Sequence, residues 1–223
     1  MADLRVARSE LILGGQRSGK SRRAEALAAR WLVQSSRHRA VYVATGQAFD
    51  DEMRERIARH RRDRAERVPG LLTEEEPTAL AHAIGRNSDK HTLIVVDCLT
   101  LWLTALLMPL DSIQAPAAPS GEGGAVPPAA PAADVPHAAI LSVAIDVCAG
   151  PLVLISNEIG LGVVPLGRDT RAFVDALGSL NQQAAAACER VTLMSAGLPA
   201  RPEPFARSSC RALERERQAK GPT

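Results

Sequence analysis

Short runs of consecutive apolar residues recur along the chain and predict buried strands. The runs lie at residues 10–14, 41–45, 92–97, 151–156 and 191–195. Their side chains do not alternate between apolar and polar, which is typical of parallel strands covered on both faces of a sheet. Apolar residues at helical spacing lie between the strands, for example over 24–31 and 173–184. Strands that alternate with helices predict an α/β sandwich.

A phosphate-binding loop follows the first apolar run. Residues 14–21 fit the pattern G-x-x-x-x-G-K-[ST] and precede an amphipathic helical segment. Glycines let the backbone wrap a phosphate, and its N–H groups together with the helix N-terminus supply positive potential. This context favours a nucleoside triphosphate site over a chance glycine turn. The predicted nucleotide-binding residues are Gly14, Gly15, Gln16, Arg17, Ser18, Gly19, Lys20 and Ser21.

Two residues of the loop have specific expected roles, and a third residue joins them from a distant strand. Lys20 is predicted to reach the β and γ phosphates, and Ser21 to ligate Mg²⁺. Asp97 ends the third apolar run, where such proteins hold magnesium or nucleotide with a carboxylate. An N-cap of the helical segment that follows is the alternative role for Asp97. Together with the strand pattern, the loop predicts a three-layer sandwich of the P-loop NTPase type with a mostly parallel central sheet.

The pattern also predicts the division of the chain. Residues 109–136 hold seven of the fifteen prolines and only three charged residues. Such a segment buries too little apolar surface to offset the entropy of ordering it, so we expect a disordered insertion. The predicted organisation is a flexible N-terminus at 1–9, a single nucleotide-binding catalytic domain at 10–199 that carries the insertion, and a C-terminal tail at 200–223.

Composition excludes several classes of protein. The formal charge of +2 argues against a nucleic-acid-binding protein, whose basic surface is usually larger. The four cysteines lie far apart without a C-x-x-C pair, which is typical of reduced thiols rather than a disulfide or zinc framework. No apolar stretch reaches the roughly 18 residues of a membrane span, and the first residues lack the apolar core of a signal peptide. We expect a cytoplasmic protein.

An arginine-rich helix is predicted after the second strand, within residues 46–67. Asp50 or Asp51 can cap it, and an inner stripe of Met53, Ile57 and His60 would turn the histidine toward the protein body, with arginines crowded around it. A solvated charged helix with one half-buried histidine is the ordinary interpretation. The alternative is a nucleophilic histidine acting on phosphorus, with guanidinium groups neutralising the developing charge.

The loop after the fourth predicted strand is a second candidate for ligand binding. Asn157 and Glu158 come directly after a buried strand, at the edge where open α/β sheets bind ligands. Arg168 lies near the start of the next predicted helix. An ordinary loop with a helix cap at Asp169 is the alternative. Otherwise these residues are tentative substrate-binding residues.

Four segments, in order from about Leu11 to Pro199, resemble one enzyme family. The segments are GGQRSGKSRRAEAL, YVATGQAFDDEMRERIARHRRDR, ISNEIGLGVVP and LNQQAAAACERVTLMSAGLP. They are similar to the bifunctional adenosylcobinamide kinase / adenosylcobinamide-phosphate guanylyltransferases of cobalamin biosynthesis. The resemblance implies that ATP or GTP phosphorylates adenosylcobinamide, and that GMP from GTP then passes through a guanylyl-histidine intermediate to give adenosylcobinamide-GDP.

The resemblance also implies roles for individual residues. His60 matches the guanylylated histidine of the family, and with Lys20 it forms the predicted catalytic pair. Asp97 stands where many relatives carry glutamate, so the carboxylate is kept. The family typically forms a homotrimer. Further nucleotide-binding residues implied in this way are Thr45, Gly46, Gln47, Arg61, Arg62, Asp63 and Arg64.

Two alternatives to the bifunctional enzyme stay open on the sequence. One is a P-loop ATPase or GTPase that acts as a switch or partner-binding module, with the arginine-rich helix as a docking face. The other is an enzyme that retains only one of the two activities. His60 discriminates against the switch, because a switch needs no nucleophilic histidine.

Overall fold

A seven-stranded sheet forms the centre of the computed structural model, which describes residues 4–48, 51–108 and 136–200. The strand order is β3-β2-β4-β5-β1-β6-β7. The strands are β1 Ser9–Gly14, β2 Arg39–Ala44, β3 Leu71–Glu75, β4 Thr92–Asp97, β5 Leu152–Ile155, β6 Arg190–Ser195 and β7 Leu198–Ala200. The helices in these ranges are α1 Lys20–Leu32, α2 Asp51–Arg67, α3 Leu80–Asn87, α4 Leu99–Leu107, α5 Pro136–Val147 and α6 Arg168–Ala187.

Two separate apolar layers make the fold a three-layer sandwich. On one face, α3, α4, α5 and α6 pack on alternate strand residues such as Leu11 and Ile94. On the other face, α1 and Val68, just after α2, pack on the intervening residues such as Ile12 and Val95. Strands buried on both faces carry apolar side chains at successive positions, which explains the continuous apolar runs of the sequence. The predicted α/β sandwich is confirmed.

The sheet is parallel except for the pairing of β6 with β7, which is antiparallel. All five predicted strands are present, with ends that differ by at most two residues. The strands β3 and β7 were not predicted. β3 lies at the sheet edge with the polar sequence LLTEE, and β7 at the other edge has three residues, so neither carries a continuous apolar run.

A buried ionic cluster ties β1 to its neighbours. Glu10 accepts hydrogen bonds from Arg23 Nε at 2.8 Å and from Thr192 Oγ1 at 2.7 Å, and Arg190 Nη1 lies 3.3 Å from it. The cluster joins β1, α1 and β6 directly beneath the phosphate loop. Removing one charged member of such a cluster leaves a buried charge without compensation, so the two strands and the helix depend on each other.

The ends of the predicted segments differ from the structure in detail. Helix α5 begins at Pro136, the last residue of the predicted insertion, and β7 ends at Ala200, the first residue of the predicted tail. Residues 109–135 and 201–223 lie outside the described residues. At the N-terminus, Ala7 is buried and the Arg8 amide donates to Glu189 at 2.8 Å, so residues just before β1 contact the domain.

The described residues also bear on the cysteine and membrane predictions. Cys98, Cys148 and Cys188 form no disulfide, as the sequence predicts, and Cys210 lies outside the described residues. Within the described ranges, no helix has the length and apolar character needed to cross a membrane.

Gly150, in the connection from α5 to β5, tests the packing of that connection against the turn that leads into β4. A Cβ at this position would lie 2.2 Å from the carbonyl oxygens of both Asp89 and Thr92, which are backbone atoms and cannot move aside freely. We expect Gly150→Ala to destabilise the protein by about 2 kcal/mol or more, which lowers the melting temperature by roughly 4–8 °C in a chain of this size. Differential scanning calorimetry measures the change.

Gly85→Ala is the matched control. Gly85 lies inside α3 and an added Cβ would meet nothing within 4 Å. Its replacement should leave stability unchanged or raise it by up to about 1 kcal/mol, because alanine favours the helix. Equal melting temperatures for the two variants would contradict the packing at Gly150.

Candidate nucleotide-binding and transfer site

The strand order brings the predicted site residues to one edge of the sheet. β1 lies beside β5, β5 beside β4, and β4 beside β2, all parallel. The loops that follow these four strands therefore emerge together at the carboxyl edge, where open α/β sheets bind ligands. Positions as distant as Gly14, Thr45, Asp97 and Asn157 become neighbours for this reason.

The phosphate loop wraps tightly around the start of α1. Gly14 has φ +150°, and a Cβ there would lie 2.4 Å from the backbone oxygen of Met194, so only glycine fits. Gly19 precedes α1 with φ +100°. The Gly197 amide donates to Ser18 O at 2.9 Å and joins the loop to the turn after β6.

Lys20 lies against its own loop. Its Nζ donates to the carbonyl oxygens of Gly14 at 2.9 Å and Gly15 at 2.7 Å. Burial lowers the pKa of Lys20, and the Asp97 carboxylate opposes that shift. The ammonium group of Lys20 is thus held inside the loop, near the carboxylate of Asp97 at the end of β4.

Asp97 accepts hydrogen bonds from hydroxyl groups of two other elements, α1 and β2. Ser21 Oγ donates to Asp97 Oδ2 at 2.7 Å, and the Tyr42 hydroxyl donates to the same oxygen. Burial raises the pKa of Tyr42 well above its ordinary value, so the phenol keeps its proton and acts as a donor. Cys98, not Asp97, is the N-cap residue of α4, and no side chain caps that helix. The alternative role of Asp97 as a helix cap is therefore wrong.

Thr45 joins the ends of β2 and β4. Its side chain is fully buried, where Oγ1 donates to Cys98 O and accepts from Cys98 N, both at 2.7 Å. The Thr45 amide donates to Asp97 O at 3.0 Å. The Thr45 hydroxyl is thus engaged in hydrogen bonds with the backbone of Cys98, the residue after Asp97. Gly46 and Gln47 follow at half-buried positions, and Gln47 Oε1 is buried without a hydrogen-bond partner among the described residues.

The expected orientation of His60 is wrong. His60 is exposed, because α2 contacts the body of the protein through its C-terminal part: Arg64 is buried, and Arg67 forms a bidentate ion pair with Glu25 on α1. Asp51 is the first residue of α2, and Asp50 lies outside the described residues.

His60 nevertheless lies at the phosphate loop. It lines a cleft of about 350 Å³ together with one residue of the loop and three earlier residues of α2. The lining residues are Arg17, Glu52, Glu55, Arg59 and His60. Sequence analysis missed Glu52 and Glu55, and their spacing with Arg59 along one helical face (i, i+3, i+7) was the available signal.

The basic residues after His60 do not crowd around it. Arg61 lies 3.6 Å from Glu75 in an exposed ion pair, and Asp63 lies 4.0 Å from Arg67. Arg62 is exposed. Arg64 is buried with its guanidinium carbon 3.6 Å from the centre of the Tyr42 ring. Among the described arginines of α2, Arg59 lines the His60 cleft, together with Arg17 of the phosphate loop.

The loop after β5 lies beside the phosphate loop. The Glu158 amide donates to Gly14 O at 3.2 Å. Asn157 donates from its amide and from Nδ2 to Thr100 Oγ1, at 3.0 and 3.1 Å, and accepts from Asn181 Nδ2 at 3.0 Å. Asn181 was not predicted to take part. Its place four residues after Leu177, on the apolar stripe of α6, was the signal.

Arg168 lies farther along the same connection. It is the exposed first residue of α6, and no side chain caps the helix, so the helix cap at Asp169 considered as the alternative is absent. Residues 159–166 expose aliphatic side chains, with Val163 95% and Leu166 98% accessible. Arg171 Nη1 donates to Pro165 O at 2.9 Å and secures the end of this segment to α6. A cleft of about 600 Å³ separates the segment from α6.

Comparison with known proteins identifies the family. The family model described as cobinamide kinase / cobinamide phosphate guanyltransferase matches residues 10–201. The chain belongs to this family. The bifunctional adenosylcobalamin biosynthesis protein CobP of Pseudomonas aeruginosa is 45% identical over 190 residues, which cover 85% of this chain and 94% of the relative. The bifunctional adenosylcobalamin biosynthesis proteins CobU of Escherichia coli and Salmonella typhimurium are each 35% identical over 188 residues, or 84% of this chain and 96% of each relative.

Membership of the cobinamide kinase / cobinamide phosphate guanyltransferase family confirms the resemblance seen in the sequence. The two activities in the family's description are the kinase and the nucleotidyl transfer that were predicted. The family is therefore one of enzymes, which argues against the alternative of a P-loop switch.

Thr45 provides a test of the link between β2 and β4. In Thr45→Val the buried Cys98 amide loses its acceptor, while the Cys98 carbonyl keeps only the Trp102 amide, so we expect a loss of about 2 kcal/mol in unfolding free energy. Thr45→Ser keeps the hydroxyl and should retain most of the stability. Urea unfolding of both variants gives the comparison, and a serine variant as unstable as the valine variant would mean that the methyl group, rather than the hydrogen bonds, matters.

Proposed function

We propose that the chain phosphorylates adenosylcobinamide with ATP or GTP and then guanylylates the product through His60, at one shared nucleotide site. The supporting observation is the cleft that Arg17 of the phosphate loop and His60 of α2 both line. A triphosphate held by the loop would place its phosphates beside the histidine. The homotrimer and the cytoplasmic location implied at the outset stay predictions.

In the kinase step the phosphate loop holds the triphosphate of the donor. Its backbone N–H groups and Lys20 surround the β and γ phosphates, and a bound triphosphate competes with the loop carbonyls for the ammonium group. The terminal hydroxyl of adenosylcobinamide attacks the γ-phosphorus and ADP or GDP leaves. Positioning and charge stabilisation supply most of the rate acceleration.

Ser21 and Asp97 are the residues proposed to hold Mg²⁺. A hydroxyl and a carboxylate 2.7 Å apart at the edge of the phosphate loop are the hard oxygen donors that this cation prefers. Mg²⁺ bound there would neutralise negative charge on the β and γ phosphates.

In the transfer step a ring nitrogen of His60 attacks the α-phosphorus of GTP. A nitrogen–phosphorus bond forms and pyrophosphate leaves. A phosphate oxygen of adenosylcobinamide phosphate then attacks the same phosphorus and releases the histidine. Arg17 and Arg59 lie in the cleft with His60 and can neutralise the charge that develops on the transferred phosphate. The exposure of His60 leaves its ring accessible to both substrates.

The corrinoid is proposed to bind beside the loop after β5. Glu158 is adjacent to the phosphate loop, and Arg168 lies at the far end of the connection. The Asn157 side chain is engaged by Thr100, so its proposed role is to orient the loop rather than to contact substrate.

Lys20→Ala tests the phosphate loop. The variant loses the cation aimed at the β and γ phosphates, so both activities should fall by at least about 100-fold, since each uses a triphosphate. Production of adenosylcobinamide phosphate and of adenosylcobinamide-GDP is measured separately by chromatography. Lys90→Ala is the control. Lys90 lies on an exposed turn just before β4, so its loss should leave the rates of both reactions unchanged. A kinase rate near that of the native protein in Lys20→Ala would place the phosphoryl transfer elsewhere.

His60→Ala tests the covalent step. The variant should show no labelling by α-³²P-GTP and form no adenosylcobinamide-GDP, while the kinase reaction survives in part because there the substrate hydroxyl is the nucleophile. The label on the native protein should be acid-labile and stable in alkali, as a phosphoramidate is. His82→Ala, an exposed histidine on α3 bonded to Arg86, should label like the native protein. Persistent labelling of His60→Ala would move the intermediate to another residue.

A further inference from the structure

Tyr42 is the only tyrosine of the chain and lies at the centre of the site without belonging to any predicted set of site residues. It is in β2, between β3 and β4, and its side chain is 3% exposed. A buried phenol needs a hydrogen-bond acceptor. The acceptor here is Asp97 Oδ2, which also receives the hydroxyl of Ser21. Tyr42 thus restrains the carboxylate proposed to hold Mg²⁺.

The face of the same ring supports α2. The Arg64 guanidinium carbon lies 3.6 Å from the ring centre, and the side chain is 7% exposed. Within residues 4–48, 51–108 and 136–200, no carboxylate forms an ion pair with Arg64, and its Nε has no hydrogen-bond partner. The aromatic face is therefore the main attractive contact of this buried cation. Arg64 lies four residues, about one helical turn, after His60.

We propose that Tyr42 is a positioning residue for both reactions: its hydroxyl orients Asp97, and its ring seats the helix that carries His60. This inference rests on the proposed function, because it assigns Asp97 to the metal and His60 to the transfer. One rigid side chain in the sheet then sets the distance between the two halves of the site. The two interactions use different parts of Tyr42, so substitutions can separate them.

A second anchor of α2 serves as the control. Arg67 donates to Glu25 from Nε at 2.8 Å and from Nη2 at 3.0 Å, which attaches α2 to α1. Neither residue of this pair bonds to Asp97 in the part of the chain that the structure describes. Loss of the pair removes a contact of α2 without touching the hydrogen bonds of Asp97, so it should affect the attachment of the helix and the stability of the protein but not the binding of Mn²⁺.

The test compares Tyr42→Phe, Tyr42→Leu and Arg67→Gln with the native protein. Three quantities are measured: the melting temperature, the binding of Mn²⁺ to the protein with a non-hydrolysable GTP analogue by electron paramagnetic resonance, and the rate of labelling by α-³²P-GTP against Mg²⁺ concentration. The Mn²⁺ measurement involves no turnover. It remains informative even if the covalent step were at another residue.

Tyr42→Phe keeps the ring and loses the hydroxyl. We expect Mn²⁺ to bind about 10–100-fold more weakly, as is typical when a partner that orients a metal ligand is removed. Labelling should need a correspondingly higher Mg²⁺ concentration and recover to within about threefold of the native rate at saturation. Tyr42→Leu loses both contacts, so labelling should stay slow at saturating Mg²⁺. Arg67→Gln should lower the melting temperature and leave Mn²⁺ binding unchanged.

Mn²⁺ affinity within twofold of the native protein in Tyr42→Phe would overturn the role of the hydroxyl, whatever happens to the melting temperature. Equal labelling rates for Tyr42→Phe and Tyr42→Leu at saturating Mg²⁺ would overturn the role of the ring. If Tyr42→Leu does not fold, Arg64→Met replaces it: that variant removes the cation from the ring and keeps the Tyr42 hydroxyl on Asp97. Labelling should then stay slow at saturating Mg²⁺ while Mn²⁺ binds as in the native protein, and a native labelling rate would overturn the role of the ring. Absence of any label on the native protein would instead contradict the proposed function, and the Mn²⁺ comparison would still decide the role of the hydroxyl.

Discussion

The carboxylate of Asp97 is the point on which the site depends. It accepts hydroxyl hydrogen bonds from Ser21 and Tyr42, which belong to α1 and β2 and are separated in sequence from it by 76 and 55 positions. The adjoining Cys98 backbone is bonded on both sides to Thr45. A carboxylate held by several donors has a restricted orientation, and such preorganisation is what phosphoryl transfer requires of its enzyme. The start of α1, strand β2 and the end of β4 are thereby joined at one carboxylate and the backbone beside it.

The cations of the site differ in how firmly they are held. Lys20 is enclosed by its own loop, and Arg64 is buried on the Tyr42 ring. Arg17 and Arg59 border the open cleft with His60. Enclosed cations act on charge at a defined point, whereas exposed ones interact more weakly through solvent. This division suits the proposed site, in which a nucleoside triphosphate is bound deeply by the loop and a phosphoryl or guanylyl group is transferred at the outer edge.

The described contacts that attach helix α2 to the rest of the protein lie toward its C-terminal end. Its C-terminal part carries the contacts of Arg64, Arg67 and Val68, while His60 and the preceding turns border the cleft. This place suits the role proposed for His60, because GTP and the corrinoid phosphate could both reach an exposed histidine from solvent. As a consequence, the orientation of His60 depends on few described contacts. The Tyr42–Arg64 stack is the nearest of them along the helix.

The sequence by itself determined the fold class, five of the strands, the phosphate loop and the family. These features follow from local information, because a strand buried on both faces needs continuous apolar residues, and a loop around phosphate needs glycine at fixed spacing. The sequence also indicated that Asp97 belongs with the loop. It did not determine the edge strands β3 and β7, whose residues are polar or few.

Only the tertiary structure decided which way α2 faces and what holds it. Helix α2 is so rich in charge that it has no dominant apolar stripe, and the spacing of His60 with Met53 and Ile57 was therefore a poor guide to its orientation. The packing of Arg64 on Tyr42 and of Arg67 on Glu25 leaves His60 exposed. The roles of Thr45, Tyr42 and Asn181 were equally hidden, since each depends on a partner at least 24 positions away. Hydrogen bonds between such distant residues arise from the order of the strands in the sheet, and that order is a property of the folded chain.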